Sequence, residues 1–162
     1  MKDVNGIGMA EYSVARANGL IEGRISPLTD ALYSAGAAPL SSCEGHLVYR
    51  SWLQRFLPFL FPLVPFRPFV MFSASEQYAK AFQHRLNLRS DNTYCWMIKG
   101  HFHPNDYELV WTVEPFDVRL NREEVDLQLV QADIQILASI AGQAAEDCKA
   151  SSKPISRDNA NG

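Results

Sequence analysis

The segments TYCWMIK at Thr93–Lys99 and YELVWTV at Tyr107–Val113 decide the fold of this chain. Apolar and polar residues alternate in both segments, and a period of two is typical of half-buried β-strands. The HPND sequence at 103–106 has the composition of a turn. The two segments therefore predict an antiparallel hairpin. The residues expected to share one face are Tyr94, Trp96 and Ile98 on the first strand, and Tyr107, Leu109, Trp111 and Val113 on the second.

The sequence before the hairpin predicts helices and two further strands. A short helix fits Met9–Ala17, although glycines on both sides weaken the pattern. Ser26-Pro27 predicts a helix start, with serine as the N-cap and proline at the first helical position, and Gly36 predicts its end. Ala37–Cys43 follows as a short buried strand, and Phe69–Phe72 is a second compact apolar strand.

Two more helices are predicted from capping-box spacings. Ser73 and Glu76 have this spacing and introduce a helix over about 75–87. Asn121 and Glu124 have the same spacing and introduce the last and longest helix. Its apolar positions alternate by three and four residues, so they form a seam that must pack on a sheet or another helix. The seam consists of Leu127, Val130, Ile134, Leu137, Ala141, Ala144 and Cys148.

The order of the predicted elements indicates the fold class. Helices and strands do not alternate strictly, so an α+β fold is favoured over a doubly wound parallel sheet. We predict a mixed or antiparallel sheet of about four strands, covering helices and a long C-terminal helix. Residues 1–150 are predicted to form a single domain, and residues 151–162 a flexible polar tail.

The composition excludes several classes of protein. The chain has 162 residues, of which 47% are hydrophobic and 20% charged, as in globular domains and unlike disordered chains. A net charge of -3 does not suit a general nucleic-acid-binding protein. Cys43, Cys95 and Cys148 do not form a disulfide framework, and no apolar run reaches the length of a membrane helix. The first residues lack the pattern of a secretory signal, so we predict a cytoplasmic protein.

Residues 52–68 are predicted to form an apolar, proline-rich insertion. Pro58, Pro62, Pro65 and Pro68 exclude a long helix or a central strand there. The aromatic and leucine side chains of this segment either complete the core or form an exposed patch for a partner protein or a membrane surface.

The candidate site is the sequence SSCEGH at 41–46, which follows a predicted strand. It concentrates hydroxyls, a thiol, a carboxylate and an imidazole, and Gly45 would allow a tight turn. We assign Cys43 or Glu44 as nucleophile or base and His46 as proton shuttle. The structural alternative is that Cys43 is a small buried apolar side chain and that His46 is a hydrogen-bonded loop residue.

A second cluster, Gly100-His101-Phe102-His103-Pro104, lies at the end of the first hairpin strand. His101 and His103 are two residues apart and would share a face, where both could contact one ion or one anionic ligand. Lys99 shares that face unless Gly100 introduces a bulge. The structural alternative is a hairpin corner with solvated histidines. A zinc site is a weaker alternative, because no metal-binding spacing is present; its ligands would be Cys43, His46, His101 and His103.

Charge is distributed unevenly along the chain. Between Leu47 and Asn105 basic residues outnumber acidic ones, whereas acidic residues dominate between Asp117 and Asp147. A basic middle region next to the candidate loop would attract a phosphate-bearing substrate. The residues expected to anchor the anion are Arg67 and Lys99. The alternative is that these are ordinary surface charges.

The same region carries a resemblance to a known family. A helix at Ser26–Gly36 precedes Ser41-Ser42-Cys43-Glu44-Gly45, and the strand that starts at Pro68-Phe69 precedes a helix at Ser75–Asn87. This motif and order are similar to the Tyw3 family, which methylates a wybutosine precursor in tRNA with S-adenosylmethionine. The family has arginine at the position of His46. The resemblance implies S-adenosylmethionine as cofactor, and a substrate or cofactor pocket lined by Ser41, Ser42, Cys43 and Gly45.

Three functions are therefore open. The first is a pocket at residues 41–46 that binds or modifies a nucleotide-like or RNA substrate. The second is a non-catalytic accessory protein that binds a host protein through residues 52–68, since the SCEGH sequence also looks like small proteins of bacterial mobile elements and phages. The third is a zinc-dependent enzyme.

Overall fold

The computed structural model describes residues 4–45, 47–48, 64–65, 67–103, 107–116 and 126–151. The helices within these ranges are α1 (Val4–Ala17), α2 (Ser26–Ser34), α3 (Glu76–Asn87) and α4 (Leu127–Ser151). The strands are β1 (Ala38–Cys43), β2 (Leu47–Val48), β3 (Val64–Pro65), β4 (Phe69–Ser73), β5 (Trp96–Phe102) and β6 (Leu109–Pro115). None of these helices has the length and apolar character needed to cross a membrane.

Four strands form one antiparallel sheet in the order β1-β4-β6-β5, and β2 pairs with β3 separately. The predicted hairpin is present as β5 and β6, with Trp96 opposite Pro115 and Phe102 opposite Leu109. One rung crosses the whole sheet through Ser42, Val70, Val113 and Ile98. The α+β class, the four-stranded antiparallel sheet and the long C-terminal helix are confirmed.

One face of this sheet packs against α2 and α3, and α4 packs against these two helices, so that the sheet and the three helices share one core. Phe72 on β4 contacts Tyr78 and Phe82 on α3, with ring centroids 6.4 Å apart in both pairs. Within the apolar seam of α4, Val130, Ile134, Leu137, Ala141 and Ala144 are buried and Cys148 is half-buried, because the spacing keeps these side chains on one side of the helix. Each fully buried large apolar side chain contributes about 1.5–3 kcal/mol. These side chains are Ile25, Leu28, Leu32, Val70, Phe72, Phe82, Val113, Val130, Ile134, Leu137 and Ile140.

Two helix caps differ from the predicted ones. The N-cap of α2 is Ile25 rather than Ser26, whose hydroxyl instead donates to a carbonyl in the preceding loop. The N-cap of α3 is Ser75, not Ser73, because the Ser75 hydroxyl accepts the N–H of Tyr78 at 3.2 Å. A capping oxygen satisfies one of the four N–H groups that a helix start leaves unpaired.

The first and last helices also differ from their predicted limits. α4 begins at Leu127, because Asp126 Oδ1 accepts the N–H groups of the next turn at 2.8 and 3.3 Å. The predicted start at Asn121 is wrong, although residues 117–125 themselves lie outside the described ranges. α1 starts at Val4 rather than Met9, so the glycines lower helix stability without ending the helix. Of the predicted tail at 151–162, only Ser151 is described, as the last residue of α4.

A β-bulge in β1 determines which way the candidate residues face. The pairing of β1 with β4 skips Leu40, which has no partner residue. Pro39 and Ser41 therefore face opposite sides of the sheet, whereas a regular strand would direct both to the same side. As a result, Cys43 lies opposite Phe69, on the face away from α2, α3 and α4.

A buried carboxylate of α4 fixes the start of β5. Asp133 is 1% exposed and accepts the N–H groups of Thr93 at 2.7 Å and Tyr94 at 2.9 Å, and the indole N–H of Trp96 at 2.8 Å. Three donors offset the cost of removing the carboxylate from water. The outer strand β5 is thereby connected directly to α4.

Candidate functional site

The candidate loop lies at the end of β1, where the chain turns away from the sheet. Gly45 has a φ of 82°, a left-handed conformation that glycine adopts without steric cost. Cys43 and Gly45 are buried, and Glu44 is half-buried. The structure therefore has a tight turn at Gly45 that leaves part of the Glu44 carboxylate accessible.

Two carboxylates connect this loop to the segment before α2. Glu22 Oε2 accepts the N–H of Glu44 at 2.6 Å, and Glu44 Oε2 accepts the N–H of Arg24 at 2.9 Å. The arrangement is reciprocal, because each segment supplies one carboxylate and one backbone N–H. Hydrogen bonds to charged groups contribute about 1.5–3 kcal/mol. This Glu22–Glu44 pair holds both carboxylates in place before any ligand binds.

The environment of the Cys43 thiol keeps it protonated. Burial raises its pKa above the usual value, and the charges of Glu22 and Glu44 and a hydrogen bond with Glu22 raise it further. The N–H of Gly45 acts in the opposite direction but does not outweigh these effects on the pKa. Because the thiolate is the nucleophilic form, these surroundings oppose the predicted nucleophile. They favour a thiol that donates a hydrogen bond to a carboxylate.

Ser41 and Ser42 line a small cavity beside β1, together with Tyr12 and Ile21. The volume of this cavity is about 110 Å³. A water molecule occupies about 30 Å³ of liquid, so the cavity has room for ordered waters or one small chemical group. The two serines can therefore contact part of a ligand but cannot enclose a whole nucleotide in this cavity.

Arg67 is the predicted anion anchor that lies near the loop. It precedes β4 by two residues, and Phe69, the first residue of β4, lies opposite Cys43. Arg67 is half-buried. The structure therefore brings Arg67 to the same end of the sheet as the Cys43–Gly45 loop.

Lys99, His101 and His103 lie at the opposite edge of the sheet. β4 and β6 separate β5 from β1, and strands about 4.8 Å apart place the two edges roughly 14 Å apart. Lys99 forms an ion pair with Glu114, and its ammonium group lies 5.2 Å from the ring centroid of Phe116. The structure does not bring these three predicted residues to the candidate loop.

The predicted zinc ligands are likewise not assembled. Cys43 and His101 are separated by the width of the sheet, whereas zinc ligands bind within about 2.3 Å of the ion. Within the described ranges, no three His, Cys, Asp or Glu side chains are grouped so that they could hold a metal ion.

Two predicted features fall largely outside the described residues. His46 lies outside them, so its role as proton shuttle stays a prediction. The apolar insertion at 52–68 is described only at Val64, Pro65, Arg67 and Pro68. A docking function for that segment therefore also stays a prediction.

Two charged residues at the loop, Glu22 and Arg24, were missed by sequence reasoning. Both lie in the connection between α1 and α2, where Gly19 and Gly23 indicate a break in the helix pattern. The available signal was the Glu-Gly-Arg sequence directly before a helix start. A carboxylate in such a loop is available to accept a backbone N–H of a neighbouring turn, as Glu22 does, and the backbone N–H of Arg24 is available to a carboxylate of that turn.

Comparison with known proteins does not assign a family. No protein-family model, curated protein or solved structure matches this chain. The Tyw3 resemblance stays a prediction, and the candidate site rests on its own geometry.

Proposed function

We propose that the Cys43–Gly45 loop binds a nucleotide-like or RNA ligand through fixed carboxylate acceptors and neighbouring arginines. The observation that supports this most directly is the Glu22–Glu44 pair, in which each carboxylate accepts a backbone N–H from the opposite segment. An ionised carboxylate has about four lone-pair sites, so acceptor capacity remains after one or two hydrogen bonds. A ligand with N–H groups on one edge suits such a pair.

Nucleobases carry N–H donors of this kind. Adenine and cytosine each present an exocyclic amino group, guanine presents an amino group beside a ring N–H, and carboxylates accept hydrogen bonds from such groups. Uracil presents only a ring N–H. The Glu22–Glu44 pair therefore favours amino-bearing bases over uracil.

Arginines near the loop suit the phosphate of the same ligand. The side chain of Arg24 is exposed, and Arg67 is half-buried at the start of β4. A guanidinium group binds phosphate oxygens with two parallel hydrogen bonds. In this proposal Cys43 is a hydrogen-bond donor, and Glu44 is the group available as a base. S-adenosylmethionine enters only through the Tyw3 resemblance, and ligand binding at the loop does not require it.

The test is calorimetric titration of the full chain with AMP, CMP, GMP, UMP and a short single-stranded RNA. We expect UMP to bind most weakly. Glu44→Gln keeps an oxygen acceptor for the Arg24 N–H but removes the charge, so binding of amino-bearing nucleotides is expected to weaken about tenfold. Arg67→Ala is expected to weaken the binding of all four nucleotides by a similar factor, because the phosphate is common to them.

Matched controls are available on exposed parts of the molecule. Glu146→Gln on α4 and Arg89→Ala after α3 remove the same charges away from the loop and are expected to leave the titrations unchanged. The proposal is contradicted if no nucleotide binds at millimolar concentration, or if Glu44→Gln and Glu146→Gln behave alike.

A further inference from the structure

β5 is an edge strand, and half of its backbone groups point away from the sheet. The N–H of Phe116 donates to the carbonyl of Cys95 at 2.7 Å, and the N–H of His103 donates to the carbonyl of Glu108 at 2.8 Å. Hydrogen-bonded residues alternate along an antiparallel pair, so the odd-numbered residues from 95 to 103 bond to the β6 side. The residues whose N–H and C=O groups point outward are Trp96, Ile98, Gly100 and Phe102.

The C-terminal end of this outward edge, at Gly100–Phe102, has no strand or side chain bonded to it among the described residues. The N–H of Ile98 donates to the side-chain oxygen of Gln83 on α3 at 2.6 Å, and Trp96 is buried. In the described part of the chain, no hydrogen bond uses the outward groups of Gly100 or Phe102. Both residues are exposed, Phe102 by 69%. An open edge of this kind is a template for another strand.

We propose that Gly100–Phe102 pairs with the same segment of a second copy of this chain, as an antiparallel strand pair about a two-fold axis. A register centred on His101 places Gly100 of one copy opposite Phe102 of the other and uses every outward group of both residues. A register centred on Gly100 would need the N–H of Ile98, which Gln83 already accepts. A register centred on Phe102 would need an N–H from residue 104, which is proline.

The side chains fit the same register. A Cβ atom at Gly100 would lie 2.9 Å from Cζ3 of Trp111, so the Trp111 ring covers the glycine. The indole N–H of Trp111 donates to the carbonyl of Ala74 at 3.1 Å, which holds the ring there. Phe102 lies on the same sheet face as Gly100, so its ring would meet the Trp111 ring of the other copy. Such aromatic pairs are stabilising beyond the area that they bury.

A second copy suits this edge better than an unrelated strand because the open segment is short. An unrelated strand would use one short edge, whereas a two-fold pair uses both edges and buries both Phe102 rings. The interface is still small, and interfaces below about 1,200 Å² are typical of transient complexes. We therefore expect a reversible dimer that forms at high protein concentration.

The first test is sedimentation velocity of the full chain from roughly 5 to 500 μM, where complexes of this class associate. The average mass is expected to rise with concentration. Phe102→Lys removes the ring and adds charge to the edge, so dimerisation is expected to weaken at least about tenfold. Leu88→Lys is the matched control, because Leu88 is 68% exposed at the C-cap of α3 and is not part of β5. A monomer over the whole range overturns the proposal.

The second test uses disulfide formation to determine the register, in a Cys95→Ser, Cys148→Ser background. His101→Cys places two thiols opposite each other on the two-fold axis, at a spacing that permits a disulfide, so mild oxidation is expected to give a covalent dimer. Lys99→Cys is the control, because its two thiols would lie roughly 13 Å apart. Equal cross-linking of the two variants overturns the proposed register.

Discussion

The two outer strands of the sheet are both fixed by carboxylates, but these carboxylates differ in exposure. At β5, Asp133 is 1% exposed and accepts three N–H groups. At β1, Glu22 and Glu44 are half-buried and each accepts one backbone N–H from the opposite segment. A buried carboxylate surrounded by donors cannot reach a ligand, whereas a half-buried one can. Burial and donor count therefore separate a structural anchor from a candidate binding group.

The free sides of the two strands also differ. α1 packs against β1 and α3 packs against β5, but at the far end of β5 Phe102 is 69% exposed and, among the described residues, no hydrogen bond uses the outward groups of Gly100 and Phe102. An uncovered strand edge favours pairing with another strand, and a covered one prevents it. The chain therefore places its candidate ligand site and its candidate self-association site on opposite edges of one sheet.

The largest effect is expected from loss of the buried anchor. Asp133→Ala leaves three N–H groups without their acceptor, so the free energy of unfolding is expected to fall by about 3–5 kcal/mol. Urea denaturation measures this change. Gln135→Ala, at an exposed position of α4, is the control and is expected to change stability by less than about 0.5 kcal/mol. Equal effects of the two substitutions on stability would refute the role of Asp133 as the anchor of β5.

The next effect tests the close contact at β5. Gly100→Ala places a Cβ 2.9 Å from the Trp111 ring, which must move and weaken its hydrogen bond to Ala74, so stability is expected to fall by about 1–2 kcal/mol. Gly142→Ala on α4 meets no atom within 4 Å and is expected to raise stability by about 0.5–1 kcal/mol. Thermal unfolding of both variants should therefore show opposite signs, and a stabilising Gly100→Ala would contradict the contact.

A smaller effect is expected at the Glu22–Glu44 pair. Glu22→Ala and Glu44→Ala are each expected to lower the free energy of unfolding by about 1 kcal/mol, less than Asp133→Ala, because the Arg24 N–H is exposed and the Glu44 N–H only part-buried, so that water can replace the lost acceptor. The double variant is expected to lose less than the sum, because both substitutions separate the same two segments. A double-mutant cycle measures this coupling, and strictly additive losses would show that the two carboxylates act independently.

The smallest effect on stability concerns the pH dependence of Cys43. Its pKa lies above the usual value of 9.0, so the folded state favours the protonated thiol; the stabilisation is complete below pH 9 and decreases as the pH rises further. At pH 8, iodoacetamide is expected to label the exposed Cys95 at least about tenfold faster than Cys43. Mass spectrometry follows both sites. A Cys43 labelling rate that reaches its plateau near pH 7 would contradict the raised pKa and support Cys43 as a nucleophile.

The sheet and the core were predictable because their signals are periodic. Alternation identified β5 and β6 together with the core-facing side that Trp96 and Val113 occupy, and the seam of α4 identified its buried face. Helix starts were less predictable, because Ser73 and Ser75, or Asn121 and Asp126, are chemically similar caps a few residues apart. The cap is the residue at which the backbone leaves helical geometry, and spacing alone does not determine that position.

The candidate site was predictable only where it is local. The turn at Gly45 follows from neighbouring residues, and Arg67 lies nearby because β4 pairs with β1. The contact between Glu22 and Glu44 joins residues far apart in the sequence, so no local pattern indicates it. The distance of Lys99 from the loop depends on the order of strands in the sheet, which a predicted hairpin does not determine. The alternation of β6 also does not tell how far along the strand the burial extends: Leu109 shares the face of Trp111 but is 46% exposed.

The unpaired Leu40 has a consequence for how this protein tolerates changes in chain length. Removal of Leu40 would straighten the first strand while Ser41, Ser42 and Cys43 kept the same neighbours across the ladder. Removal of Ser42 instead would turn Cys43 towards the helices, because alternate positions face opposite sides. Deletion scanning should therefore find that the protein tolerates the loss of Leu40 but not the loss of Ser42.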